Sequence, residues 1–127
     1  TDHSQSSIVS GLSELILTKP KTLITSISIP LNVKTSFEYV SKTPTDKPIV
    51  CAALAKWNSG RTRLTLGGFG RNPMLGMDGT ESNGVTEAAR NAYQEAGDEW
   101  ASAEYRAEMA VVLSKRCLEN LGASHSE

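Results

Sequence analysis

The apolar positions of this chain change period along its length, and the changes divide it into elements. From Ile8 to Leu17 the set Ile8, Val9, Leu12, Leu15 and Ile16 recurs at spacings of one, three and four, which predicts a short amphipathic helix. Pro20 disfavours helical geometry at Lys19 and ends it. In Leu23-Ile-Thr-Ser-Ile-Ser-Ile-Pro30 the period drops to two, with Ile27 and Ile29 alternating with Ser26 and Ser28. That predicts a half-buried strand closed by Pro30. Lys34 to Lys42 repeats the alternation, with Phe37 and Tyr39 on one face and Ser36 and Glu38 on the other. Ile49 to Trp57 is more continuously apolar and predicts a buried strand. Asn58-Ser59-Gly60 predicts a hairpin turn with positive φ at Gly60. Arg61 to Phe69 is then the return strand, with Leu64 and Leu66 inward and Arg63 and Thr65 outward.

Gly67 to Gly84 holds six of the ten glycines and reads as loop by composition. Val85 to Ala96 predicts a helix with an Ala-rich face, closed by Gly97. Ser102 is placed to N-cap a last helix from Ala103 to Leu121, its apolar stripe being Tyr105, Met109, Val112, Leu113 and Cys117. Strands grouped before helices imply an antiparallel sheet with helices packed on one face. The expectation is one α+β, two-layer domain over residues 1–127, with residues 1–7 and 122–127 frayed.

Composition narrows the function classes. The 127 residues are 39% hydrophobic and 21% charged, as in ordinary globular domains. Thirteen Lys+Arg against fourteen Asp+Glu give a net charge of -1, which argues against a general nucleic-acid binder or a polybasic membrane binder. No apolar run approaches the roughly 20 residues that cross a bilayer. Cys51 and Cys117 are too few for a disulfide framework and suit a reducing, cytoplasmic setting, although one disulfide is compatible with the count. The start at Thr1, without a leader, suggests a processed protein or a fragment.

Candidate chemistry is sparse. Gly67-Gly-Phe-Gly70 invites a phosphate-loop reading, yet Arg71-Asn72-Pro73 follows where a Lys-Ser/Thr and a helix are needed, so strand exit and close packing explain it better. His3 and His125 sit in polar ends, which leaves no internal His for a triad or a Cys-His pair. Cys51 and Cys117 read as core residues. Asp98-Glu99 precede the last helix, where its dipole is explanation enough. Arg61, Arg63 and Arg71 cluster around one hairpin, either as a solvated face or as a site for an acidic group or partner. None of this assembles a self-contained active site.

Ala101-Ser-Ala-Glu-Tyr-Arg-Ala-Glu-Met-Ala-Val-Val-Leu-Ser-Lys-Arg-Cys-Leu118 resembles the closing helix of the flavoprotein subunit of molybdenum hydroxylases, the family of carbon monoxide dehydrogenase and xanthine dehydrogenase. The resemblance rests on Ser-Ala-x-Tyr-Arg followed by a Leu-x-x-Arg/Lys-Ala-Leu ending. Leu23 to Pro30 is similar to the strand that enters the family's C-terminal domain. Arg63-Leu-Thr-Leu-Gly-Gly-Phe-Gly-Arg-Asn-Pro73 is similar to its Leu-Gly-Gly hairpin exit, and Glu38 to Asp46 resembles the intervening strand less closely. In order and spacing the similarity spans residues 15–121.

That resemblance implies an antiparallel sheet with helices on one side. It also implies a subunit whose FAD passes electrons between an iron–sulfur partner and an external acceptor, the substrate being chosen by a molybdenum-cofactor subunit. Two preceding domains would hold most of the FAD, and this domain would cover one side of the flavin. Ile24 matches an apolar position that touches the cofactor, and either Glu38 or Tyr39 matches a position where relatives often carry Lys near the ring. Neither is Lys here, and the loop after Pro73 is shorter than is typical. By itself the chain would then catalyse nothing and bind FAD weakly at best. The alternative is a free-standing α+β interaction module without flavin; an exposed apolar sheet face would favour the first reading and a polar one the second.

Overall fold

The hairpin around Asn58 to Gly60 organises the chain. In a computed structural model, which describes residue 21 and residues 23–123, Gly60 takes φ 96° and joins β2 (Val50–Trp57) to β3 (Thr62–Gly67). β1 (Val33–Val40) pairs antiparallel with β2, and β4 (Met74–Gly79) with β3, so the sheet runs β1-β2-β3-β4 in chain order. Two helices follow, α1 (Val85–Ala92) and α2 (Ala103–Ala123), both on one face. The α+β class and the two-layer arrangement are those that the pattern predicts.

The core lies between these layers. Val50, Ala52, Leu54, Leu64 and Leu66 point from the central strands toward Val85, Ala89, Tyr93, Ala107, Ala110, Leu113, Cys117 and Leu121. Ser102 caps α2 as expected, its Oγ accepting the N–H of Tyr105 at 3.1 Å. The buried stripe of α2 is rotated from the predicted one: Ala107, Ala110, Leu113, Ser114, Cys117 and Leu121 face the sheet, while Tyr105 is exposed. Small residues permit this, because helix and sheet approach closely only where side chains are short.

Other elements differ from expectation. Leu23 to Pro30 joins no ladder, and its residues are exposed. Alternation makes a strand only where a partner supplies hydrogen bonds, and among the described residues none pairs with it. The Gly67 to Gly84 stretch contains β4, hidden by its glycines. Gly76 is there because a Cβ would stand 3.0 Å from Leu66 Cδ1 and 3.2 Å from Leu64 Cδ2. α1 stops at Ala92, and Tyr93 leaves helical geometry with φ -110°. The helix predicted over Ile8 to Leu17 lies outside the described residues.

One irregularity shapes the outer surface. Leu64 pairs with Met77 but Thr65 pairs with Leu75, so Gly76 is an extra residue in β4. The bulge brings both Leu75 and Asp78, three residues apart, to the side away from the helices.

Candidate functional site

The sheet face away from the helices carries the candidate site. Alternation along β1 and β2 turns Thr35, Phe37, Tyr39, Cys51, Ala53 and Ala55 outward, opposite the buried Val50, Ala52 and Leu54. One row across the sheet reads Phe37, Ala53, Thr65 and Leu75, and its neighbours read Tyr39, Cys51 and Gly67, and Thr35, Ala55, Arg63 and Asp78. Phe37 and Tyr39 stack with ring centroids 5.9 Å apart. Phe37, Tyr39 and Leu75 are 58%, 50% and 57% exposed, and the exposed Ala53 forms a low floor between them.

The two residues left open by sequence fall on opposite faces. Tyr39 belongs to the outer surface. Glu38 points to the helices, where its Oε1 accepts a hydrogen bond of 3.0 Å from Asn120 Nδ2, which also reaches Ser36 Oγ at 3.1 Å. Ile24 lies on the segment that enters the sheet and is 55% exposed, and Leu23, Ile27, Ile29 and Leu31 are more exposed still. The structure therefore joins Tyr39 with Phe37 and separates both from Glu38.

Beyond the apolar row the face becomes charged. Arg61 donates from Nε and Nη2 to the two oxygens of Asp78 at 3.0 and 2.9 Å and stacks 4.7 Å over the Trp57 ring. Arg61 holds the Asp78 carboxyl below the usual carboxylate range, and the more distant charge of Arg63 acts in the same direction. Arg63 stands directly across from Asp78 in the register, and no hydrogen bond to its guanidinium is found among the described residues. Arg71 does not join this group.

A buried guanidinium fixes the end of the sheet nearest Tyr39. Arg106, within the Ser-Ala-Glu-Tyr-Arg run, is 1% exposed. Its Nη1 donates to the carbonyls of Ile49 and Gly68, the latter at 2.9 Å, and its Nη2 reaches both Asp98 oxygens at 2.9 and 2.8 Å. Asp98 thus serves as the partner of Arg106 rather than merely meeting a helix dipole. It also accepts the N–H groups of Trp100 and Ala101. Gly68, with φ 101°, lets the strand exit approach Ile49, since a Cβ would stand 2.4 Å from the Ile49 oxygen. Tyr93 donates its hydroxyl to the Gly67 carbonyl at 2.6 Å. Gly67 and Gly68 therefore serve strand exit and close packing, and their carbonyls are occupied.

The face can hold a planar apolar group and exclude water, but it carries little reactive chemistry of its own. The Cys51 thiol beside Tyr39 is pushed up by burial, which opposes thiolate formation, and both cysteines are free thiols. Elsewhere among the described residues lie two shallow depressions, one of about 290 Å³ between α1 and α2 and another of about 150 Å³ beside Lys34, Lys56 and Trp57. Among the described residues no group of three or more His, Cys, Asp or Glu is placed to hold a metal ion, and no helix is long and apolar enough to cross a membrane.

No protein-family model and no curated protein matches the sequence. Solved structures do match in fold. A chain of the cyanide-inactivated Cu,Mo carbon monoxide dehydrogenase aligns with TM-score 0.53 and 19% identity over 72% of this chain and 37% of that one. A chain of carbon monoxide dehydrogenase from Hydrogenophaga pseudoflava, in a form lacking the Mo-pyranopterin moiety, gives 0.53 and 17% over 72% and 37%. A chain of quinoline 2-oxidoreductase from Pseudomonas putida 86 gives 0.51 and 19% over 74% and 38%. The chain thus shares the fold of a region spanning little more than a third of each of these proteins.

Proposed function

We propose that this chain is the flavin-covering domain of an FAD-dependent oxidoreductase of the molybdenum-hydroxylase type. The observation that carries the proposal is the open apolar face of Phe37, Tyr39, Ala53 and Leu75, on a fold shared with a region of carbon monoxide dehydrogenase. The four strands give that face a width of about 14 Å, three inter-strand spacings, and its centre is low because Ala53 and Thr65 are small. A flat fused-ring system fits between the aromatic wall and Leu75.

FAD, when bound, supplies the hydride and electron chemistry; the chain supplies burial and electrostatics. Phe37 and Leu75 exclude water from one side of the ring, which shifts its reduction potential. Of the two residues that the resemblance leaves open, Tyr39 is the one we assign to the flavin, because it lies on the outer face and Glu38 points inward. Ile24 approaches from the entering segment, whose exposed apolar residues await a neighbouring domain. The uncovered length of the structural relatives leaves room for such FAD-binding domains. Iron–sulfur and molybdenum-cofactor subunits would be the electron-transfer partners, and the two free thiols suit a cytoplasmic setting.

Titration of the isotope-labelled chain with FMN, followed by NMR, tests this reading. The expected result is weak, millimolar binding with shifts centred on residues 37, 39, 53 and 75. A chain whose outer face does not respond is an interaction module instead. Tight stoichiometric binding of FAD would equally overturn the covering role, because the chain would then hold the cofactor unaided.

A further inference from the structure

The cation beside the apolar row, Arg63, makes no hydrogen bond or close ion pair among the described residues. Arg61 occupies both oxygens of Asp78, so Arg63 acts on that carboxylate only through space. Arg63 is exposed on the outer face, two residues along β3 from Thr65. That separation is about 6.8 Å along the strand, within reach of an arginine side chain. An unpaired guanidinium bordering a flat apolar floor is suited to a planar ligand with negative charge at one rim.

We propose that Arg63 binds the pyrimidine rim of the flavin and favours its reduced form; this rests on the flavin-covering reading above. Two-electron reduction with uptake of one proton leaves flavin with a negative charge on that rim at mildly alkaline pH. The oxidised ring is neutral there. Arg63 therefore stabilises the reduced ring more than the oxidised one, whereas Phe37, Ala53 and Leu75 hold both alike. Such a preference raises the reduction potential of a flavin lying on this face.

The experiment compares the affinity of the chain for FMN oxidised and for FMN reduced by excess dithionite under anaerobic conditions. The FMN phosphate is present in both states and cancels from the ratio. Wild-type chain should bind the reduced form roughly two- to fivefold more tightly, the range open to an exposed ion pair. The preference should shrink as salt is added. In Arg63→Gln the ratio should fall to about one with oxidised binding retained, and Arg63→Lys should restore part of it. A ratio unchanged by Arg63→Gln, or a wild-type ratio of one, overturns the role of Arg63 and leaves the covering reading standing. If neither form shifts residues 37, 39, 53 and 75, the covering reading falls and this inference falls with it.

Discussion

Replacing Arg106 with methionine should remove much of the stability of the domain while leaving the hydrophobic core filled. The guanidinium is 1% exposed and joins three separate segments, the entry to β2 at Ile49, the exit of β3 at Gly68 and the loop at Asp98. Methionine keeps the volume of the stem but donates no hydrogen bond. Removing one member of a buried ion pair costs about 3–5 kcal/mol, chiefly through the groups left behind. Here Asp98 keeps some access to water, with 28% of its side chain exposed, so the loss should fall near the lower end. At about 3 kcal/mol, and roughly 4 °C per kcal/mol from an unfolding entropy of about 2.1 cal/mol/K per residue, Tm should drop by roughly 11 °C in a circular-dichroism melt. A drop below about 4 °C would show that the clamp contributes little and that the sheet end is held by packing alone. The hydrogen bond from Arg106 is the main influence holding the Asp98 carboxyl below its usual range. The unfolded chain therefore binds the proton first on acidification. Stability from this pair is complete above about pH 4 and is lost as pH falls through the lower, folded value. In Asp98→Asn that acid-side loss should be smaller, with the neutral-pH Tm already reduced.

Four further variants separate the fold from the face. Gly68→Ala should cost about 2 kcal/mol or more in urea unfolding, because it sets a Cβ against the Ile49 carbonyl at positive φ. Gly122→Ala meets nothing within 4 Å and should stabilise α2 by about 0.5–1 kcal/mol; equal effects at the two positions would contradict this. Tyr93→Phe strands the buried Gly67 carbonyl and should cost about 1–2 kcal/mol. In the wild type, burial pushes the Tyr93 phenol well up, so an ultraviolet titration should show one tyrosine ionising only at alkaline unfolding. The double change Phe37→Ser with Leu75→Ser should alter stability by less than about 0.5 kcal/mol yet abolish the NMR response to FMN. A large stability loss there would mean the face is structural.

The parts of this fold that sequence makes legible are those with local causes. β2 follows from its apolar run, β3 from alternation after a turn with Gly60, and the start of α2 from a capping serine; that one face of β2 stays open at Ala53 did not follow from the run. β4 was not legible, because Gly76 and Gly79 lower strand propensity and the packing of Gly76 against Leu64 and Leu66 shows only in three dimensions. The segment from Leu23 has the alternation of a strand but no partner among the described residues. Phe37 and Tyr39 could be assigned to one face of β1, but which face stays open depends on Cys117 and Asn120, about eighty residues later. Arg106 closes the Ser102 to Arg106 run, and nothing local signals its burial, since its partners come from Ile49, Gly68 and Asp98.

The strand order itself has a consequence for synthesis. Each strand pairs with the one made just before it, so the β2–β3 hairpin can close as soon as Gly67 has emerged. Its inner side, Leu54, Leu64 and Leu66, is roofed in part by α2, whose Leu121 arrives about fifty residues later. At about 5–20 residues per second that is a wait of several seconds with an apolar surface bare. A nascent chain in this state should attract chaperones that bind exposed apolar surface, and codons that speed translation between Gly67 and Leu121 should raise the yield of folded protein.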